Sequence, residues 1–201
     1  QLLQFLRSGK QVPIKITFNN IRTKSDLASR ISKQIEADST QIAAMLSDSL
    51  LLKEEALNSD NVLCLFIPNT YEMYWNTSAT DFFKRMKREY DNFWNTSRRQ
   101  KAEQQGLTPV QVSILASIVQ SETKQNAEKP RVAGVYLNRL RQNWKLEADP
   151  TLVFALGDFS IKRVLNEYKT IDSPYNTYKY FGLPPGPICL PDISSIDAVL
   201  N

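Results

Sequence analysis

Histidine is absent from all 201 residues of the sequence. Ser-His-Asp triads, histidine-activated cysteines and histidine metal sites are therefore excluded for these residues. Acid–base chemistry near neutral pH must then come from a carboxyl group, or from a lysine, whose pKa is shifted by its surroundings. The missing histidines direct the search for a site toward acidic side chains.

Cysteines and long apolar runs are also scarce. Cys64 and Cys189 are the only two cysteines, and their separation has no metal-ligand spacing. Cys64 lies within the apolar run 62–67, which predicts a buried structural thiol. No run reaches the roughly 18 to 20 apolar residues that cross a bilayer. We expect neither a metal ion nor a cofactor.

Neither end of the sequence carries a recognisable targeting signal. The chain opens on QLLQFLRSGK and stops at DAVLN. We interpret both ends as internal positions of a longer protein, so they indicate nothing about its targeting.

The composition is that of an ordinary globular protein, with 42% hydrophobic and 10% aromatic residues. The net charge of +4 suits an anionic polymer as partner without requiring one. Because the sequence has no basic cluster, nucleic acid is not expected as a partner.

The first third of the chain reads as strand, helix, helix, strand. Residues 12–18 alternate in hydrophobicity, which predicts a half-buried strand. One helix is expected to begin at a Ser25 cap and the next at Asp38 or Ser39. The apolar run 62–67 predicts a buried strand. This order is similar to a LysM module, a carbohydrate-binding fold, and a packing or spacer unit is the alternative.

The remainder of the chain reads as mainly helical. Aromatic residues recur at three- and four-residue steps over 82–94, which predicts a long helix with a core-facing aromatic stripe. The predicted fold class is therefore α+β. A LysM-like β-α-α-β unit covers residues 1–67, and a mainly helical domain covers residues 68–201.

The segment 108–123 is the most informative helix. Thr108 and Gln111 form a capping box at its start. In helical projection, Glu122 falls in the middle of the apolar arc and Gln120 falls on a polar arc that faces solvent. Burial of a carboxyl group disfavours its charged form, so we expect a raised pKa for Glu122.

An ordinary structural role for Glu122 is the alternative, in which it pairs with Arg131 or Arg139 at the helix end. The raised pKa is favoured because no histidine can supply a proton. A carboxylic acid that stays neutral near pH 7 is also what glycosidic bond cleavage requires.

Six segments occur in one characteristic order along the chain. They are PNTY (68–71), ASIVQSET (116–123), VAGVYLNRL (132–140), ADPT (148–151), PYNTY (174–178) and GLPPGPI (182–188). Together they resemble the endolytic murein transglycosylases, the YceG-like family. The resemblance is firm over 66–201 and loose over the LysM-like unit. The chain differs by having Gln120 where the family has Glu, Glu147 where it often has Gln, and no equivalent of its final C-terminal stretch.

The resemblance implies a lyase in which Glu122 is the catalytic acid and base. The family cleaves the β-1,4 bond between N-acetylmuramic acid (MurNAc) and N-acetylglucosamine (GlcNAc) without water. Glu122 would protonate the leaving oxygen and then help the MurNAc C6 hydroxyl to close a 1,6-anhydro ring. The expected substrate-binding residues are Asn138, Glu147, Asp149, Tyr175, Asn176, Thr177 and Tyr178. Structural roles are the alternative for several of them: Asp149 as a turn or helix cap, and Asn138 with Arg139 as part of a surface salt bridge.

The same resemblance implies partners and a location. We expect peptidoglycan glycan strands as substrate, cell-wall synthesis enzymes as candidate partners, and an N-terminal anchor in the bacterial inner membrane with the catalytic part in the periplasm. Two rival functions stay open. A hydrolytic muramidase needs a second carboxylate, for which Asp149 and Glu147 are candidates, and a glycan-binding scaffold needs no catalysis.

Overall fold

A computed structural model describes residues 11–201, so the first ten residues of the predicted N-terminal unit lie outside the described part. The only sheet in this range has two antiparallel strands, β1 (Ile14–Phe18) and β2 (Asn69–Met73), with Ile16 opposite Tyr71. Two 3-10 helices cover Val62–Leu65 and Asn166–Thr170. The α-helices are α1 (Lys24–Ile31), α2 (Ser39–Met45), α3 (Ser49–Glu54), α4 (Ala79–Phe93), α5 (Thr96–Gln104), α6 (Pro109–Glu122), α7 (Lys129–Arg141), α8 (Asp149–Leu156) and α9 (Ile193–Leu200). The α+β prediction is confirmed, and helices dominate.

The predicted strand over 62–67 is wrong. Residues 62–65 form a 3-10 helix, and the strand that pairs with β1 follows Pro68. All six residues of the run are buried, and a run that is apolar on every side has no periodicity to distinguish helix from strand. In β2, by contrast, Tyr71 and Met73 are buried while their neighbours are exposed, as in a strand with one covered face.

The helix starts in the N-terminal unit are only partly as predicted. Asp38 caps α2, as expected, and Gln41 completes its capping box. Ser25 does not cap α1, because Thr23 takes that position and accepts from the Asp26 amide. The short helix α3 was not predicted; Asp48 caps it by accepting from the amides of Leu50 and Leu51.

Aromatic side chains connect this unit to the rest of the protein. Phe18 of β1 packs edge-on against Phe66 and Phe82, with ring centroids 6.3 and 6.5 Å apart. Phe82 belongs to α4, whose aromatic stripe is buried as predicted. A continuous hydrophobic core therefore runs from β1 through α4 and on to α6.

Helix α6 lies at the centre of the mainly helical part and is buried along Val112–Val119. Two of its three serines are buried as well: Ser113 and Ser117 donate to the carbonyls of Pro109 and Ile114, whereas Ser121 near the helix end is exposed. The prediction that the polar side faces solvent is therefore wrong for Ser113 and Ser117, because α9 and the segment before it pack against this part of the helix. A small side chain whose hydroxyl donates to a carbonyl of its own helix can be buried at low cost. Ser113 and Ser117 were therefore not a sign of a solvent-facing side.

Gln120 is part of that covered side. Its side-chain amide donates to the Leu190 carbonyl (3.3 Å), and its carbonyl oxygen accepts from the Asp192 amide and the Ser195 hydroxyl. Gln120 thereby connects the end of α6 to the start of α9.

Within residues 11–201, no helix is both long and apolar enough to span a bilayer.

Candidate active site

Glu122 is the last residue of α6 and its carboxyl group meets α7. The Tyr136 hydroxyl donates to Glu122 Oε1 at 2.6 Å. Tyr136 itself is buried, with 7% of its surface exposed, so this donor is held in place by packing. Glu122 is exposed on its other side, and the burial predicted by helical projection is therefore incomplete.

The surroundings raise the pKa of Glu122 above its usual value. Partial burial is the largest cause, and the negative charge of Asp149 adds to it. The Tyr136 hydrogen bond and the positive charge of Arg139 act in the opposite direction and limit the rise. The direction agrees with the expectation from the sequence, and it favours a carboxyl group that exchanges a proton.

Tyr136 keeps its own proton. Burial raises the pKa of its phenol, and the neighbouring Glu122 carboxylate raises it further. Tyr136 is therefore a hydrogen-bond donor to Glu122 Oε1, and Oε2 takes no part in this bond.

The alternative in which Glu122 pairs with an arginine is not what the geometry shows. Arg139 lies beside an ion-pair partner of its own, Glu147, at 3.7 Å. Its guanidinium also donates to the Leu146 carbonyl. Arg139 thus fixes the chain just after α7 and acts on Glu122 only through its charge.

The carboxyl group of Glu122 opens onto a cleft of about 440 Å³. Residues from the end of α6, the segment that follows it, α7, the loop before α8, the start of α8 and the loop after residue 175 form its walls. They are Glu122, Thr123, Glu128, Val132, Val135, Tyr136, Arg139, Glu147, Asp149 and Tyr178. Four predicted site residues therefore meet in one cleft: Glu122, Glu147, Asp149 and Tyr178.

Asp149 and Tyr178 form a hydrogen-bonded pair in the cleft wall. Asp149 is the first residue of α8, and its Oδ1 accepts a hydrogen bond from the Tyr178 hydroxyl at 2.5 Å. Burial and this hydrogen bond raise the pKa of Tyr178, so it also remains a phenol. The wall thus offers one oriented carboxylate.

Thr177 and Asn176 are buried next to these residues and fix the loop that carries Tyr178. Thr177 is buried, and its hydroxyl accepts from the Ala148 amide at 3.0 Å. Asn176 has no exposed surface: its amide donates to the carbonyls of Lys169 and Ile171, and its oxygen accepts from the amides of Tyr178 and Lys179. The structure places both residues as supports for the loop rather than in the cleft.

The two remaining predicted residues lie elsewhere. Tyr175 packs on Phe154 with ring centroids 4.7 Å apart, and burial raises its pKa to about 12. Asn138 is exposed on α7 beside Arg141 and is not among the residues that line the cleft.

Tyr136 and Glu128 were missed by the sequence reasoning. Val132, Tyr136 and Arg139 are spaced by four and three residues and share one face of α7, so helical periodicity could have grouped them. Glu128 could not have been found this way, because it precedes α7 and is placed by accepting from the Thr123 hydroxyl at 2.7 Å. Over residues 11–201, no three or more Cys, Asp or Glu side chains converge as metal ligands would.

The chain is similar in sequence and in structure to known proteins. The chain is 29% identical over its whole length to the endolytic murein transglycosylase of Bacillus subtilis (strain 168), of which it spans 59%. Over 67% of its length it is 28% identical to the protein of that name from Streptococcus pneumoniae (strain D39), of which the match spans 25%. It also resembles the crystal structure of a putative YceG-like protein from Listeria monocytogenes, with a TM-score of 0.78 and 26% identity, covering all of this chain and 71% of the other.

The sequence model of the YceG-like family matches residues 1–201, the entire chain. This match agrees with the six ordered segments and with the structural likeness. The chain therefore belongs to the YceG-like family.

Proposed function

We propose that the protein is a lytic transglycosylase that cleaves peptidoglycan strands internally, at the MurNAc-β-1,4-GlcNAc bond, during cell wall assembly. The observation that supports this most is the Glu122 carboxyl group, which has a raised pKa and is held by Tyr136 at the opening of a cleft. The names of the Bacillus and Streptococcus relatives point to the same activity.

Glu122 would act twice in this reaction. Its protonated carboxyl first gives its proton to the glycosidic oxygen, and the bond between that oxygen and C1 of MurNAc breaks. The resulting carboxylate then removes the proton of the MurNAc C6 hydroxyl while the C6 oxygen forms a bond to C1. The product is a 1,6-anhydro ring, and Glu122 ends the cycle protonated again.

The other cleft residues support this sequence of steps. Because Tyr136 donates to Oε1, the carboxyl cannot rotate freely, and Oε2 takes no part in this bond. The positive charge that develops at C1 is favoured by the carboxylates of Asp149 and Glu147, which line the same cleft. An internal hydroxyl needs no capture from solution, so positioning replaces a bimolecular step.

A hydrolytic muramidase is the second candidate, because a second carboxylate is present. Asp149 is oriented by Tyr178 and could activate a water molecule, whereas Glu147 is drawn toward Arg139. The ends of the products separate the two reactions. Purified uncrosslinked strands are digested with the full-length protein and treated with borohydride, and the masses of the products are measured by mass spectrometry.

Anhydro ends, which borohydride leaves unchanged, are expected for the lyase. Reduced muramitol ends would show hydrolysis and would assign Asp149 as the base. No new ends at all would favour a glycan-binding scaffold.

We further propose that the whole protein is anchored in the inner membrane by an N-terminal segment and works on the periplasmic side, with wall-synthesis enzymes as partners. The division at residue 67 stays a prediction. We propose that the N-terminal unit is LysM-like and binds glycan; the strand that pairs with its β1 lies just past this division, at 69–73.

A further inference from the structure

Two large aromatic side chains are exposed on loops that also carry cleft residues. Trp144 and Phe181 each expose 60% of their surface. They lie on the two loops 142–148 and 176–182, and the ammonium group of Lys145 sits 5.3 Å from the centre of the Phe181 ring. Aromatic residues are enriched in binding surfaces relative to the rest of a protein's surface.

These two loops are joined to each other. The Glu147 amide donates to the Thr177 carbonyl at 3.1 Å, and the Ala148 amide donates to the Thr177 hydroxyl. The contact between Lys145 and Phe181 extends this junction outward. The aromatic residues are therefore held by the same framework that holds the cleft wall.

The loops also join the aromatic residues directly to the cleft. Glu147 and Tyr178, from the same two loops, line the cleft. On the α7 side, the Trp144 amide donates to the carbonyl of Arg139, another cleft residue, at 2.8 Å. The backbone that carries Trp144 and Phe181 therefore adjoins cleft-lining residues at Arg139, Glu147 and Tyr178.

We propose that Trp144, Lys145 and Phe181 form an additional subsite that binds a sugar ring of the glycan strand beyond the cleft. Pyranose rings present an apolar face of C–H groups that packs on aromatic rings, and Trp and Phe offer large rigid surfaces at little entropic cost. The Lys145 ammonium group can donate to sugar hydroxyl or acetamido oxygens at the ring edge. This inference rests on the proposed function, since it names where the same substrate extends.

The subsite predicts a dependence on strand length. A short oligomer that fills only the cleft does not reach Trp144, whereas a longer strand does. Removing either ring is therefore expected to weaken the binding of long strands by about fivefold, in the range of single aromatic contacts, and to leave the binding of the shortest oligomer unchanged.

The test uses the full-length protein carrying Glu122→Gln, so that strands bind without being cut. Trp144→Ala and Phe181→Ala are added singly, and binding to uncrosslinked MurNAc-GlcNAc strands of graded length is measured by calorimetry. Trp144→Phe keeps an aromatic surface and is expected to retain binding within about twofold. Trp75→Ala is the matched control, since Trp75 is 53% exposed but follows β2, outside both loops.

A loss confined to long strands, present in both alanine variants and absent from Trp144→Phe and Trp75→Ala, supports the subsite. Equal binding by the parent and the alanine variants at every length overturns the subsite alone. A parent that binds no strand of any length overturns the proposed function together with the subsite.

Discussion

Replacing Tyr136 by Phe isolates the contribution of one hydrogen bond to the candidate acid. The change removes the hydroxyl that donates to Glu122 Oε1 at 2.6 Å and keeps the buried ring in place. A hydrogen bond to a charged group contributes about 1.5–3 kcal/mol, and the lower end applies because Glu122 is exposed to water on its cleft side. Since about 1.4 kcal/mol is a tenfold change in rate, kcat/KM is expected to fall about tenfold.

The pH dependence gives a sharper readout than the rate. A general acid is active only when protonated, so activity is lost as pH rises through the pKa of Glu122. Tyr136 stabilises the carboxylate and lowers that pKa, so its removal raises the pKa and moves the alkaline limb of the profile to higher pH.

The assay is kcat/KM for strand cleavage by the full-length protein over a series of pH values. Tyr178→Phe is the control, since its hydroxyl binds Asp149 rather than Glu122. It is expected to leave the alkaline limb where it is. A folded Tyr136→Phe variant whose alkaline limb does not move, or moves to lower pH, would refute the assignment of Tyr136 as the residue that positions the acid.

Two predictions concern stability and are checked by urea denaturation. Gly186→Ala should lower the free energy of unfolding by about 1–3 kcal/mol or more, because the new Cβ would lie 2.0 Å from the Asp60 carbonyl oxygen. Gly134→Ala should instead raise the free energy of unfolding by about 0.5–1 kcal/mol, because Gly134 lies within a helix and a new Cβ there would have nothing within 4 Å. Equal effects of the two changes would contradict this packing. Gln120→Ala should cost about 1–3 kcal/mol, because it leaves the Leu190 carbonyl and two donors without their side-chain partner, and a neutral result would restore the solvent-facing interpretation.

Local patterns in the sequence predicted local structure well. The capping box of Thr108 and Gln111 and the aromatic spacing of α4 each depend on neighbours within four residues, and the structure confirms both. The run 62–67 failed because its uniform hydrophobicity carries no period, although its burial was correct. Gln120 failed because its partners are about 70 residues away.

The candidate site divides in the same way. Glu122 was selected from helical projection, the absence of histidine and the family resemblance; the structure places it in the cleft, although more exposed than the projection predicted. The PYNTY segment was found as a unit, but only the structure shows that Tyr178 reaches the cleft while Asn176 and Thr177 face the interior. Which residue of a loop faces a cleft is decided by tertiary hydrogen bonds, here those to Ala148 and Lys169, and these leave no periodic trace in the sequence.

The most direct test of the central claim is the turnover of three isosteric variants of the full-length protein on uncrosslinked glycan strands: Glu122→Gln, Asp149→Asn and Glu147→Gln. Each keeps the shape of its side chain and removes its ability to exchange a proton. If Glu122 alone is acid and base, Glu122→Gln loses about 10²- to 10⁴-fold or more in kcat, while the other two lose far less. Near wild-type turnover by Glu122→Gln, or an equal loss in Asp149→Asn, would contradict the account.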